Sequence, residues 1–298
     1  MKASYLSLST AELEERVTTL NNKLYNCDLC SLQCGVDRLN SERGECDSGE
    51  NIMISSTMPH FGEEKPLVGR KGSGTIFLAN CNLSCVYCQN YEISQLGHGR
   101  EVPPEEVADH MLTLQKQGCH NINWVSPTHF VPQLVESLLI ARERGFTVPI
   151  VYNTGGYDNP EMLKLLDNIV DIYMPDMKYS NNQSGLRYSR VPRYWETNKQ
   201  VVKEMHRQVG DLRMNNEGIA QRGLLIRHLI LPENLAGTEE ILRFIAKEIS
   251  TNSYVNIMDQ YKPRWKASQY AELNRTISGQ ECQRAVNLAN KLGLNRGL

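Results

Sequence analysis

The sequence predicts an α/β fold: a partial (β/α)6 barrel of the TIM type with an N-terminal cysteine-rich, metal-binding appendage. Three observations predict it. Between residues 74 and 258, short apolar or β-branched runs alternate with helical stripes at about 30 residues per unit, the usual size of one strand–helix–strand step. Such alternation builds a parallel sheet, and six units are too few to close an eight-stranded barrel. Polar residues follow one strand after another, at the ends where such sheets carry their sites. Finally, four of the nine cysteines fall within residues 27–46, ahead of the first unit.

In chain order, Ser9-Thr10-Ala11-Glu12 has the form of a capping box, and Leu13, Val17, Leu20 and Leu24 mark one stripe of the helix it opens. The helix leads to Cys27, Cys30, Cys34 and Cys46, spaced C-x2-C-x3-C-x11-C. That pattern has one tight knuckle where a zinc ribbon has two, and it does not match the ferredoxin runs. Four thiols in so short a segment predict a second metal site, with zinc and an auxiliary iron–sulfur cluster both open. Residues 52–54 are a strand candidate. His60, Glu63, Glu64 and Lys65 then fall on a polar connector ending at Gly72-Ser73-Gly74, a turn that precedes a strand where a phosphate loop would follow one.

The first barrel strand begins at Gly74 and releases Cys81, Cys85 and Cys88 at C-x3-C-x2-C spacing on the loop beyond it. Three thiolates on one loop can converge on an iron–sulfur cluster and leave one iron open to a small chelating molecule. Helices are expected over 103–117, 131–144, 160–166, 196–209, 238–249 and 280–292. The strands between them are expected over 122–125, 148–152, 169–174, 224–231 and 254–258, with Asn181, Asn182 and Gly185 in a polar stretch. In the last helix Cys282, Ala285, Val286 and Ala289 are expected to face inward, and Cys119 and Cys282 to be small core residues. The domain reading is 1–71 for the appendage, 72–262 for the barrel and 263–298 for a helical tail.

Composition narrows the function classes. In 298 residues, 40% are apolar and 22% charged, and the net charge is −2, so no basic field argues for nucleic acid. Residues 1–10 lack the apolar core of a signal peptide and no apolar run is long enough to span a bilayer, which predicts a cytoplasmic chain with no membrane partner. Cysteines there serve as metal ligands or buried thiols more often than as disulfides. The strand ends carry Ser126-Pro127-Thr128-His129, Asn153-Thr154-Gly155-Gly156, Pro175-Asp176-Met177-Lys178, Arg227-His228 and Asp259-Gln260-Tyr261. Together they could ring a pocket suited to a zwitterionic nucleoside.

The cysteine spacing, with Tyr87 just before the last thiol, resembles the signature of the radical S-adenosylmethionine enzymes. Over about residues 72–261 the glycine-rich lead-in, the cysteine loop, Asn153-Thr154-Gly155 and Asp176-Met177-Lys178 look like the pyruvate formate-lyase activating enzyme branch, and within it the group with extra N-terminal cysteines. The resemblance implies that Cys81, Cys85 and Cys88 bind a 4Fe–4S cluster whose open iron holds S-adenosylmethionine. One electron from the cluster would split the sulfonium and give a 5′-deoxyadenosyl radical that abstracts hydrogen. Asp176 and Lys178 match residues that contact the ribose and the methionine carboxylate, and Arg227 matches a basic residue of the fifth strand. The branch's Gly-Gly-Glu after the second strand is replaced here by Ser126-Pro127-Thr128, so amine binding would pass in part to Asn153 and Thr154. Tyr261 or Gln260 stands where the branch places a group against adenine. A reductant such as flavodoxin or ferredoxin is implied, with a small molecule or short peptide as substrate. A glycyl radical enzyme is the alternative partner, and a zinc-stabilised binding module the alternative of another class.

Overall fold

A computed structural model describes residues 2–298. Helix α1 (Thr10–Asn22) opens with the expected capping box: Ser9 Oγ accepts from Glu12 N–H, and the Glu12 carboxylate accepts from Ser9 N–H. Leu13 and Leu20 are buried on its inner face. The cysteine-rich stretch that follows has one 3₁₀ turn at Arg38–Asn40. It is pinned by Arg38, 1% exposed, which donates to the carbonyls of Gly49 and His129 (2.9 and 2.6 Å) and lies over Phe130.

Strand β1 (Ile52–His60) is three times the length that the apolar trio at 52–54 suggests. It pairs antiparallel with β2 (Ser73–Leu78), from Ile54 opposite Leu78 to His60 opposite Ser73. His60 therefore lies on a strand and not in the connector. Between them, the short helix α2 (Lys65–Val68) buries Leu67 among Val151, Ile172, Met174 and Leu225, so it fills the base of the barrel.

After the cysteine loop come α3 (Tyr91–Ser94), β3 (Arg100–Val102), α4 (Pro104–Lys116), β4 (Ile122–Val125) and α5 (Val131–Glu143), on which α1 packs. The chain goes on through β5 (Ile150–Thr154), α6 (Pro160–Lys164), β6 (Ile172–Pro175), α7 (Asn182–Ser189), α8 (Tyr194–Val209), β7 (Arg213–Met214) and β8 (Ala220–Leu229). It ends with α9 (Thr238–Phe244), a π-helical turn at Ile245–Ile249, β9 (Tyr254–Met258) and α10 (Gly279–Lys291). Strands β2, β4, β5, β6, β8 and β9 are parallel in that spatial order. The edge of β2 is taken by β1, which carries β3 on its far side, and β9 pairs with β8, so the six strands form an open barrel as expected.

Three local readings need correction. Asn153 and Thr154 are the last residues of β5 and not a loop beyond it. The polar stretch is helical over Asn182–Ser189, because the side chain of the N-cap residue Asn181 accepts from Ser184 N–H. Cys282 and Val286 are only half-buried on α10, whose buried residues are Ala285 and Ala289, whereas Cys119 is a core residue. Among the described residues no helix is long and apolar enough to cross a membrane.

Candidate active site

A cavity of about 380 Å³ opens over the carboxyl ends of all six parallel strands. One wall is the loop after β2. Asn80 turns the chain there at a positive φ of 65°, and its amide donates to the Asp47 carbonyl (3.0 Å). The loop is then clamped from outside: Ser84 N–H and Val86 N–H donate to the carbonyls of Ser189 and Tyr188 (3.0 and 2.8 Å). Cys81, Cys85 and Cys88 all line the cavity, and none is in a disulfide.

The sulfurs have few polar neighbours: Leu83 N–H (3.4 Å) and Asn82 Oδ1 (3.9 Å) for Cys81, Ser189 Oγ for Cys85 (3.0 Å) and Ser94 Oγ for Cys88 (3.1 Å). Burial pushes the Cys81 thiol up to about 12 and raises Cys85, whose rise the nearby Lys178 ammonium opposes. Among the described residues no three ligand-type side chains converge closely enough to cage an ion as they stand. Three unpaired thiols on one cavity wall are a donor set that suits a cluster with one open iron.

The facing wall is charged. The backbone of Asp176 is held between β5 and β8, with Asp176 N–H on Thr154 O (2.9 Å) and Met177 N–H on Arg227 O (2.8 Å). Its carboxylate accepts from Lys178 Nζ (2.6 Å) and Arg227 Nε (2.8 Å), all three side chains being 13–16% exposed. Burial alone would raise Asp176, but the two cations outweigh it and hold the carboxyl below its usual value. Arg227 also donates to Asn153 Oδ1 (2.7 Å). The chain passes over Asp176 at Gly156, where a Cβ would come within 2.4 Å of the Asp176 carbonyl.

Two acids of the connector belong to this cluster. Glu63 and Glu64, 9% and 7% exposed, reach in from the start of α2 to within 3.7 and 4.0 Å of Arg227, and Glu64 accepts from Asn256 on β9 (3.0 Å). Burial raises Glu63 to about 7, with Arg227 opposing and Glu64 adding to the rise. The folded state therefore holds that proton more tightly than the unfolded chain does. Stability should fall as pH climbs from 4.5 toward 7 and level off above it. Glu63→Gln removes that slope, so relative to the parent it should gain on the order of 2–3 kcal/mol between pH 5 and pH 8. Thermal melts at the two pH values measure this, and an equal offset at both would show that Glu63 does not carry the proton.

Of the residues the sequence singles out, Ser126 (φ 58°), Asn153, Thr154, Asp176, Lys178 and Arg227 line the cavity together. Thr154 Oγ1 is already engaged, donating to Asp158 (2.8 Å). Asp158 is fully buried and also accepts from Thr128 and Tyr152 (2.7 and 2.8 Å), which makes it the brace beneath β5. Nothing in its sequence context distinguishes it from a surface acid. Tyr261 is not in the cavity: it is 2% exposed, donates to the Leu273 carbonyl (2.7 Å) and packs edge-on against Tyr87. Its neighbour Gln260 lines the cavity instead.

Three of the N-terminal thiols, Cys27, Cys30 and Cys34, lie on a hairpin, and Cys46 follows it. Cys27 N–H donates to Val36 O, and Gly35 N–H to Cys27 O, both at 3.0 Å. Cys27 and Cys30 are buried, Cys46 is half-buried and Cys34 is exposed, with Gly44 so close that a Cβ there would meet Cys34 Sγ at 2.5 Å. Burial pushes Cys30 up to about 12, and Cys46, Cys27 and Cys34 add to the rise. The hairpin is fastened to the segment after β5: Cys30 bridges Asp158, and Ser31 Oγ donates to the Asp158 carbonyl (2.7 Å).

An open parallel barrel with thiols and a buried charge cluster over its strand ends is the architecture of an enzyme. The family model described as the Radical SAM superfamily matches residues 75–245. An uncharacterized protein of Methanocaldococcus jannaschii is 34% identical over 95% of this chain and 80% of its own length. A protein of the same organism, provisionally named a glycyl-radical enzyme activating enzyme, is 31% identical over 37% of this chain and 44% of its own. Among solved structures, a radical SAM methyltransferase from Sphaerobacter thermophilus superposes with a TM-score of 0.50 at 14% identity, over 74% of this chain and 64% of that one, a likeness of fold. The chain belongs to the radical SAM superfamily, whose enzymes work with a 4Fe–4S cluster and S-adenosylmethionine.

Proposed function

We propose that this enzyme uses Cys81, Cys85 and Cys88 to hold the cluster and removes hydrogen from a small molecule or short peptide. The observation that carries the reading is the shared cavity: three free thiols face the Asp176–Lys178–Arg227 group across about 380 Å³. When bound, the cluster supplies the electron that splits the sulfonium of S-adenosylmethionine. The chain's own groups position the cosubstrate. Lys178, kept protonated by Asp176 in spite of its burial, is a donor for the methionine carboxylate. Asp176 is an acceptor for ribose hydroxyls, and Asn153 an acceptor for the amine. Ser126 and Gln260 complete the polar lining. Flavodoxin or ferredoxin is the class of reductant that suits such an enzyme.

A small substrate is favoured by Glu63 and Glu64, which reach from the connector after β1 to Arg227 on β8 and Asn256 on β9 and so narrow the open side of the barrel. The activating-enzyme reading keeps one support, the partial likeness to the provisionally named activating enzyme. Reconstituted protein given S-adenosylmethionine and reductant should form 5′-deoxyadenosine faster with the low-mass fraction of a cell extract than without it. A deuterated substrate should pass its label into that product. A persistent paramagnetic doublet travelling with a high-mass protein would instead make this an activating enzyme.

The four N-terminal thiols are proposed to hold a second metal, zinc or iron–sulfur, which would supply folding energy that a hairpin so poor in apolar residues lacks. Cys27→Ala and Cys46→Ala should each lower metal content by one site and raise the protease sensitivity of residues 26–50. Metal content equal to the parent in both variants would refute the site.

A further inference from the structure

Beneath the cysteine loop lies a second core rich in tyrosine, with Tyr87, Tyr157, Tyr179, Tyr188, Tyr194 and Tyr261 all nearly or fully buried. Their hydroxyls do not all bond at random. Tyr87 Oη donates to Tyr179 Oη at 2.6 Å, Tyr179 Oη lies 2.8 Å from Ser189 Oγ, and Ser189 Oγ lies 3.0 Å from Cys85 Sγ. All four groups are buried, with Ser189 and Tyr179 at 0% exposure. The other two cavity thiols have shorter arrangements: Leu83 N–H and Asn82 Oδ1 beside Cys81, and for Cys88 the Ser94 hydroxyl, which accepts from Nε2 of the half-exposed Gln95 (3.2 Å).

We infer that Ser189 is a positioning residue which, fed by the Tyr87–Tyr179 hydroxyl pair, donates a hydrogen bond to Cys85 and sets the reduction potential of the cluster. The inference rests on the proposed role of Cys85 as a cluster ligand. A metal-bound thiolate has no proton to give, so the chain of three O–H groups can run in one direction only, toward the sulfur. Each donor polarises the next, which strengthens the last bond beyond that of an isolated serine. Reduction adds one electron whose charge is shared by the sulfurs, so a donor to sulfur stabilises the reduced form more than the oxidised form. No bond between heavy atoms is made or broken in that step, and the electron comes from the external reductant. The backbone supports the same geometry: the carbonyls of Tyr188 and Ser189 accept from Val86 and Ser84 on either side of Cys85, so Ser189 cannot move away from the sulfur without unlatching the loop.

The test is a redox titration of the anaerobically reconstituted protein without cosubstrate, followed by electron paramagnetic resonance, with iron and sulfide measured on every sample. Ser189→Ala should load a full cluster whose reduced-to-oxidised ratio at fixed poise is about three- to tenfold lower, a shift of about 30–60 mV to more negative potential. Ser189→Thr, which keeps the hydroxyl, should restore the parent potential. Tyr179→Phe should move it in the same direction by less. Potentials equal to the parent in Ser189→Ala and Tyr179→Phe at full iron content would overturn the inference and leave the cluster assignment standing. Should Ser189→Ala lose iron, Tyr179→Phe decides alone. Absence of any cluster on the parent protein would overturn both.

Discussion

Replacement of Cys81, Cys85 or Cys88 by alanine is expected to reduce 5′-deoxyadenosine formation to background. The three thiols are the cysteines that line the cavity, and Cys119 and Cys282 lie elsewhere, in the core beyond α4 and on half-buried α10. No nearby sulfur can take over a lost ligand, and two thiolates do not retain a cubane. Side-chain volume changes little, so the variants should stay folded and the loss should be chemical. Cys119→Ala and Cys282→Ala serve as controls with cleavage intact. Chromatography of the nucleoside product, with iron content alongside, reads the outcome. Cleavage that survives Cys85→Ala would end the cluster assignment.

Asp176→Ala should be the most damaging substitution on the opposite wall. It leaves the Lys178 ammonium and the Arg227 guanidinium, both largely buried, without the carboxylate they share. Breaking a buried pair from one side costs about 3–5 kcal/mol, because the stranded charge stays desolvated. For a domain of this size that corresponds to a melting-point drop of roughly 5–15 °C. Lys178→Met is the contrast: Asp176 keeps Arg227, so the fold should hold, while cosubstrate affinity falls about ten- to a hundredfold for one charge-assisted bond. Calorimetry and a thermal melt on each variant separate the two effects. An unchanged melt for Asp176→Ala would mean that Glu63 and Glu64 suffice as counter-charges.

The parts of this molecule that sequence reasoning finds are those with a period or a spacing. Six β-branched runs at regular intervals give the parallel strands, Ser9 to Glu12 gives a cap, and three cysteines after an apolar run give the thiol wall. What it misses depends on partners far along the chain. Ser55, Ser56 and Thr57 read as the end of a strand, yet β1 continues because β2 supplies a ladder on one side. Glu63 and Glu64 look like solvated surface acids and are buried because Arg227 waits inside the barrel. Asp158 has no local mark: two of its hydroxyl partners, Tyr152 and Thr154, stand on β5 just before it, but the third, Thr128, comes from beyond the end of β4, and burial is set by the fold around them. Gln260 and Tyr261 follow β9 in irregular chain, where no strand period assigns a face, and only the distant Leu273 carbonyl, which accepts from Tyr261, decides that Gln260 is the one left in the cavity.

The segment from Phe61 to Val68 carries a consequence for how the barrel comes together in time. During synthesis it emerges before every parallel strand, yet Leu67 packs against β5, β6 and β8, and Glu63 and Glu64 meet groups on β8 and β9. Its partners therefore include the last two parallel strands to be made, β8 and β9. Two carboxylates and a leucine must remain solvated until the sheet curls around them, and closure across so many intervening residues is slow. The barrel is wound around a peg laid down first, and an arrested chain that lacks β8 and β9 would display that peg, unneutralised and exposed, to chaperones and proteases.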